Sequence, residues 1–242
     1  MKKTAFVLAS VILMSLLGAC GTTDVEEEKE QEQRIQATGE NDTEDRNTET
    51  GDTMNPEADS NVLIAYFTWG DNTVVEDPES VDIDATTSAS VLPPGNVARM
   101  ADWISQEIGG DLFSIKVEEP YSSDYDECLD RAAAEKAENA RPKLTEKVEN
   151  MDAYDTVFLG YPNWWYSVPM PVLTFIDENN LSGKKIVLFC SHGTGGLAGS
   201  VEDITAELPE DCKIEDNVIG IYRDDIPNGQ GTIQQWLTEI GY

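Results

Sequence analysis

Three continuous apolar runs of strand length constrain the fold of this chain more than any other feature. They cover residues 61–67, 154–160 and 184–190, and they are rich in aliphatic and aromatic side chains. A strand that is apolar on both faces is typical of the centre of a parallel sheet, where helices cover each face. The runs therefore predict an α/β domain with a parallel sheet.

The segments around these runs complete the pattern of strand followed by helix. Two more strands are predicted, and five helices are predicted from apolar spacing and from glycine or proline at their ends. The strands are 111–117 and 216–222, and the helices are 97–108, 123–140, 170–179, 200–209 and 232–242. Right-handed crossovers then predict a doubly wound, five-stranded parallel sheet. Ligands of such sheets bind at the carboxyl ends of the strands, so the loops after residues 67, 160 and 190 are the candidate site.

The first sixty residues differ in composition from the rest. Residues 1–19 carry Lys2 and Lys3 before a short apolar stretch, which predicts an export signal peptide. The stretch ends in Leu-Gly-Ala-Cys, which resembles the lipobox of bacterial lipoproteins, with Cys20 as the lipidated residue. Residues 20–60 are acidic and almost free of aliphatic side chains, so we expect a disordered tether. These features predict a protein that is exported and lipid-anchored to the extracytoplasmic face of a bacterial membrane.

The remaining residues, 61–242, form one predicted domain with a strongly acidic balance. Residues 61–242 hold 33 acidic and 11 basic side chains. The net charge of the whole chain is −31. This charge argues against nucleic-acid binding and against direct contact with an anionic membrane surface, so the membrane is reached only through the anchor. Cys128, Cys190 and Cys212 show no metal-binding spacing and allow at most one disulfide, whose existence the sequence leaves open.

The loop after the first strand, residues 68–96, is too long for an ordinary strand-to-helix turn. We therefore expect an insertion over about 70–94. The loop ends in Gly95-Asn96 directly before a helix. Free amides and the positive end of the helix dipole make such a helix start suitable for a phosphate. Ordinary capping by Asn96 explains the same residues, and both interpretations remain open.

The other two loops are aromatic and glycine-rich. Trp164, Trp165 and Tyr166 are adjacent, and consecutive side chains cannot all point into a core. At least one ring should line a cleft or face solvent, where a flat partner would stack on it. The loop 191–200 is dense in glycine, which allows close approach of the backbone to a ligand. It contains His192, the single histidine, which we interpret as a local hydrogen-bonding residue more than a catalyst.

Four stretches together resemble the flavodoxin-like proteins, and within them the group with a Pro-x-Trp-Trp loop. The stretches are "LIAYFTW", "GDLFSIKVEEPYSSDYDECLDRAAAEKAENARP", "YDTVFLGYPNWWYSVPMPVLTFID" and "FCSHGTGGLAGSVEDI". The resemblance covers residues 61–242. It implies the strand order 2-1-3-4-5 and noncovalent binding of FMN at the switch point of the sheet.

The resemblance also implies roles for individual residues. The FMN phosphate would be held after the first strand, the isoalloxazine would pack on the aromatic loop, and its pyrimidine side would meet the glycine-rich loop. The implied residues are Thr68, Trp69, Gly95, Asn96 and Val97 for the first loop, Pro162, Asn163, Trp164, Trp165 and Tyr166 for the second, and Ser191, His192, Gly193, Gly195 and Gly196 for the third.

Two features depart from the family pattern. The compact phosphate loop is split, with "GDNT" (70–73) before the insertion and "PGNV" (94–97) after it. We favour the second half because a helix follows it at once, although Val97 replaces a threonine hydroxyl and one hydrogen bond to phosphate is lost. The other departure is Tyr166, where many relatives have glycine.

The function implied is electron transfer by bound FMN, with a redox partner protein or small electron acceptor. The protein would position the flavin and contribute no acid–base residue, and nearby carboxylates would make the reduced ring strongly reducing. Two alternatives remain. One is an FMN-dependent NAD(P)H or quinone reductase, and the other is a lipoprotein that lacks FMN and binds a small ligand or a partner.

Overall fold

The structure is a computed structural model that describes residues 61–87 and 90–242. The predicted signal peptide at 1–19 and the predicted lipidated tether at 20–60 lie outside the described residues. Over the part that is described, no helix has the length and apolar character needed to cross a membrane.

Six parallel strands form one sheet in the described part of the chain. They are β1 (Val62–Tyr66), β2 (Asp111–Ser114), β3 (Thr156–Pro162), β4 (Lys185–His192), β5 (Lys213–Ile214) and β6 (Ile219–Tyr222). The strand order is β2-β1-β3-β4-β5, and β6 pairs with β4 beyond the end of β5. The predicted order 2-1-3-4-5 is confirmed.

Within the described residues, six α-helices connect or flank these strands. They are α1 (Ile83–Thr87), α2 (Asn96–Ile108), α3 (Tyr125–Ala137), α4 (Met170–Glu178), α5 (Ser200–Glu207) and α6 (Gln230–Glu239). Short 3₁₀ helices cover Trp69–Asn72, Met151–Ala153 and Ile226–Asn228. Helix α3 is shorter than the predicted 123–140 because Asp124 caps its start, accepting a hydrogen bond from the Glu127 amide at 3.0 Å. Asn139 then leaves the helical region with φ of 49°.

Alternate residues of the central strands point to opposite faces of the sheet, and they pack into two hydrophobic cores, one on each face. On one face Leu63, Val157 and Leu188 join the cluster that α3, α4 and α5 cover. On the other face Ile64 and Phe158 join the cluster that α2 and α6 cover. All these strand residues are essentially inaccessible. The continuous apolar runs are thus explained by burial on both faces, as the sequence predicted.

The fifth strand differs from its prediction at 216–222. Its place is taken by two short strands, because four positions on β4, from Ile186 to Phe189, are matched by six on the partner, from Ile214 to Ile219. The two extra residues make a bulge, which ends one ladder before the next begins. Within this bulge the Asn217 carbonyl accepts a hydrogen bond from the Trp236 indole at 2.8 Å.

The long segment after β1 packs against the domain near both of its ends. Trp69 is 1% exposed, and its indole N–H donates to the Ser122 carbonyl at 3.1 Å. Ala85 of α1 and Val91 are fully buried in the core cluster on the same face. The segment leaves the carboxyl end of β1 and leads into α2. Because it packs on the domain near both of its ends, the start of α2 lies at the carboxyl end of β1.

Candidate functional site

A cleft of about 390 Å³ lies at the carboxyl ends of β1, β3 and β4. Pockets that bind small molecules and cofactors occupy about 300–1,000 Å³, so the cleft has room for such a ligand. The sheet register places Tyr66 beside Gly160, and Pro162 beside Ser191. The three loops singled out in the sequence therefore meet at one edge, where the switch-point rule predicts a ligand.

Thirteen of the fifteen predicted site residues line this cleft. They are Thr68, Trp69, Asn96, Val97, Pro162, Asn163, Trp164, Trp165, Tyr166, Ser191, His192, Gly193 and Gly195. Gly95 and Gly196 do not line it, but each contacts a residue that does. A Cβ on Gly95 would come within 1.9 Å of Thr68 Oγ1, so the loop closes only around a glycine. The Gly196 carbonyl accepts a hydrogen bond from Asn163 Nδ2 at 2.6 Å, which ties the second loop to the third.

Seven further lining residues were not predicted. They are Ser90, Tyr125, Cys128, Leu129, Ala132, Thr194 and Arg223. Four of them lie on one face of α3, at the three- and four-residue spacing that a helix face requires. That spacing is visible in the sequence, whereas nothing in the sequence marks Ser90, which lies in the insertion.

The start of α2 offers unpaired amides to the cleft. The first helical hydrogen bond runs from the Arg99 amide to the Gly95 carbonyl at 3.0 Å, so the amides of Val97 and Ala98 precede it. The Asn96 amide donates to Ser90 Oγ at 2.8 Å. Since α2 is 13 residues long, its dipole places positive potential at this point. An anionic group suits this end of the cleft.

Asn72, the asparagine of the alternative phosphate-loop half, is occupied in joining β1 to the segment after β2. Its Nδ2 donates to the carbonyls of Thr68 and Ile115, each at 2.9 Å. Its Oδ1 accepts from the Val117 amide at 2.8 Å. Asn72 is 2% exposed and does not line the cleft. Of the two halves, it is Asn96 that lies on the cleft.

The three adjacent rings sit on a tight turn. Ser167 donates its amide to the Trp164 carbonyl at 2.9 Å, and the Trp164 amide donates to the Ser167 carbonyl at 3.1 Å. Trp165 and Tyr166 lie between them with φ of 51° and 59°. Positive φ at both central residues is the pattern of a type I′ turn, which ordinarily uses Asn-Gly. Two bulky residues therefore hold a strained backbone at the edge of the cleft.

The rings point in different directions, as expected for consecutive residues. Trp164 packs edge-on against Phe67, with ring centroids 5.4 Å apart, and against Tyr121 at 5.5 Å. Trp165 is 44% exposed, and its indole N–H donates to the Leu129 carbonyl at 3.1 Å. Tyr166 is 66% exposed and lies over Gly195, where a Cβ would come within 3.1 Å of its ring. The prediction that at least one ring faces out is confirmed.

The glycine-rich loop is held by backbone contacts on both sides. The Asn163 amide donates to the Ser191 carbonyl at 2.9 Å, and the Arg223 amide donates to the His192 carbonyl at 2.8 Å. His192 Nδ1 lies 2.8 Å from the Gly193 carbonyl oxygen, which fits the local hydrogen-bonding role expected from the sequence. The loop thus borders the cleft mainly with main chain, which a planar ligand edge can approach closely.

The lining of the cleft is electrostatically unlike the rest of the domain. Among the described residues that line it there is no aspartate or glutamate, and Arg223 supplies a guanidinium. Burial raises the pKa of the Cys128 thiol to about 12, with Glu135 adding to the rise and Arg131 opposing it, so the thiol is neutral at physiological pH. The cleft therefore combines a helix start for an anion, exposed rings for a flat group and no competing carboxylate.

Comparison with known proteins gives one family and several structures. A family model described as flavodoxin matches residues 85–236. A solved structure from Bacteroides eggerthii, assigned as a flavoprotein, is 28% identical over 75% of this chain and 98% of its own, with a TM-score of 0.55. One from Bacteroides uniformis, assigned likewise, is 20% identical over 74% and 98%, with a TM-score of 0.56. A Lactobacillus acidophilus flavoprotein in complex with FMN is 19% identical over 70% and 97%, with a TM-score of 0.50. None of the curated proteins matches the chain.

Proposed function

Since this chain belongs to the flavodoxin family, we propose that it is an FMN-binding electron-transfer protein of the Pro-x-Trp-Trp group. Its cleft is the observation that carries the proposal. One set of residues brings together the unpaired amides of α2, two exposed aromatic rings and a glycine-rich main chain, with no carboxylate among the described lining residues. A neighbour of the same fold, from Lactobacillus acidophilus, holds FMN.

The start of α2 would hold the phosphate. The amides of Val97 and Ala98 precede the first helical hydrogen bond, Val97 lines the cleft, and the Thr68 hydroxyl lies beside Gly95. Amide groups at a helix start bind anions through hydrogen bonds and the dipole together. Hydrogen bonds to charged groups contribute about 1.5–3 kcal/mol each, so the phosphate should add at least tenfold to the affinity.

The aromatic turn and the glycine-rich loop would hold the ring. Trp165 and Tyr166 expose ring surface at the cleft, and the indole N–H of Trp165 is fixed on α3 through the Leu129 carbonyl. Residues 191–195 line the same cleft, and Tyr166 lies over Gly195. When bound, the flavin supplies the electron chemistry, and the protein supplies orientation and an electrostatic environment.

The cleft contains little that could act as a general acid or base. Burial holds the pKa of Cys128 at about 12, which keeps the thiol protonated. His192 is turned toward β6, where a Cβ on Gly220 would lie 3.0 Å from its Cδ2. Since none of the described lining residues is a carboxylate, we expect solvent to supply protons to the ring, as suits an electron carrier.

An absorption titration of residues 21–242 with FMN and with riboflavin tests the proposal. We expect a yellow complex with FMN and at least tenfold weaker binding of riboflavin, which lacks the phosphate. Equal affinity for the two would show that the start of α2 does not hold the phosphate. A protein that takes up neither flavin would refute the function as a whole.

The reaction of the same complex with NADPH distinguishes an electron carrier from a reductase. Mixed with NADPH under anaerobic conditions, a carrier keeps its flavin oxidised over minutes, while chemical reduction with dithionite bleaches it. Rapid bleaching by NADPH would instead support an FMN-dependent reductase.

The proposal includes a location and a partner. We infer from the sequence that Cys20 carries a lipid, that the acidic tether spaces the domain from an extracytoplasmic membrane face, and that the electron acceptor is a redox protein or small molecule there. Labelling of cells with a radioactive fatty acid should mark the wild-type protein and not a Cys20→Ala variant. Equal labelling of both would contradict the anchor.

A further inference from the structure

Charge is distributed unevenly between the surface and the cleft. The region 61–242 holds 33 acidic side chains, yet none of them lines the cleft among the described residues. Arg223 lines it instead. An arrangement that excludes every carboxylate and admits a guanidinium favours negative charge in the cleft, against the field of the whole domain.

The fold holds Arg223 in place at the end of β6. Its amide donates to the His192 carbonyl at 2.8 Å, which continues the pairing of β6 with β4. Its guanidinium lies against Gly193, where a Cβ would come within 3.1 Å of Nη1. The side chain is 26% exposed, and the carboxylate of Asp224, 3.6 Å from its Nε, is 67% exposed. Solvent screens that exposed partner more than the half-buried guanidinium.

The sheet itself shows which part of a bound flavin Arg223 can reach. β1, β3, β4 and β6 are successive neighbours, and adjacent strands lie about 4.8 Å apart. Three such steps place the end of β6 about 14 Å from the end of β1, where α2 would hold the phosphate. Arg223 is therefore too far away to bind the phosphate. It lies beside the glycine-rich loop, which would border the ring.

We propose that Arg223 sets the redox potential of the flavin by stabilising the negative charge that the ring gains on reduction. The inference rests on the proposed function. Two electrons from a reduced donor protein and one proton from solvent leave one negative charge on the ring, and the acceptor removes the same electrons. Because Arg223 lines the cleft and none of the described lining residues is a carboxylate, Arg223 raises the potential that the surface carboxylates lower.

Redox titration of the FMN complex tests this role with matched variants. Arg223→Gln and Arg223→Met remove the charge, and Arg223→Lys keeps it. Lys213→Gln removes an exposed charge at the opposite end of the sheet, since β5 pairs with the first residues of β4 while β6 pairs with the last. We expect the neutral variants to lower the preference for reduced over oxidised FMN about tenfold, which is about 30 mV more negative for a two-electron couple. Arg223→Lys should keep most of the potential, and Lys213→Gln all of it.

The outcomes separate this inference from the function on which it rests. A wild-type protein that binds no flavin overturns both. A yellow wild-type protein whose neutral Arg223 variants keep its potential overturns the inference alone. Equal weakening of oxidised and reduced FMN also overturns it, because Arg223 would then be a uniform anchor. If Arg223→Gln fails to fold, as judged by circular dichroism, the nearly isosteric Arg223→Met variant decides.

Discussion

Replacement of Tyr166 should separate the stability of the domain from its affinity for flavin. Tyr166 has φ of 59°, in a region where a residue with a Cβ is disfavoured by about 1–2 kcal/mol and glycine is not. Tyr166→Ala removes the ring and keeps this strain, whereas Tyr166→Gly removes both. The greater freedom of glycine in the unfolded chain offsets about 0.5–1 kcal/mol. We therefore expect Tyr166→Gly to be about 0.5–1 kcal/mol more stable than Tyr166→Ala.

Thermal unfolding of the flavin-free variants measures this difference. In a domain of this size it corresponds to a melting temperature about 1–4 °C higher for Tyr166→Gly. Flavin titration should instead show a lower affinity in both variants, because both lack the ring that would stack on the flavin. FMN should bind about two- to tenfold more weakly than to the wild type. A Tyr166→Ala variant that melts at or above Tyr166→Gly would refute the account of strain in the turn.

Three other changes probe the surroundings of the cleft. Gly95→Ala should destabilise the domain by about 1–3 kcal/mol in urea unfolding, because its Cβ would lie 1.9 Å from Thr68 Oγ1, and Thr68→Ala in the same chain should recover part of the loss. Asn72→Ala should cost at least about 2 kcal/mol by the same assay, since it removes three buried hydrogen bonds at once. Burial raises the pKa of Cys128 from 9.0 to about 12, so its contribution to stability is full below pH 9 and is lost as the pH rises toward 12. Urea unfolding of Cys128→Ala should therefore show a shallower fall in stability across that range, by up to about 1.4 kcal/mol per pH unit.

The sequence predicted the centre of the fold better than its edge. The runs at 61–67, 154–160 and 184–190 are buried on both faces, so their composition alone specifies their position in the sheet. The predicted fifth strand, 216–222, contains β6, but β5 and the bulge were missed, and in that bulge the indole of Trp236, 19 residues along the chain, donates to the Asn217 carbonyl. A contact between residues that far apart in the chain leaves no local pattern.

The sequence predicted the part of the site that lies at the carboxyl ends of the strands, where ligands of parallel sheets bind. That rule of strand ends selected the three loops, and Arg223, which directly follows the predicted last strand, could have been found by the same rule. The α3 face that includes Cys128 and Leu129 was missed because the helix reads as polar, and only packing shows which side meets the cleft. The sequence favoured Asn96 over Asn72 because a helix follows Asn96 at once, and in the structure Asn96 lines the cleft whereas Asn72 does not.

The divided outer strand has a consequence for how the domain behaves among copies of itself. A long border strand exposes a regular series of free amides and carbonyls, on which another polypeptide can build. Here β5 contributes two residues and β6 four, with a bulge between them. Neither segment offers another chain more than four residues to pair with, so we expect little edge-to-edge aggregation at this side of the sheet, even among crowded copies.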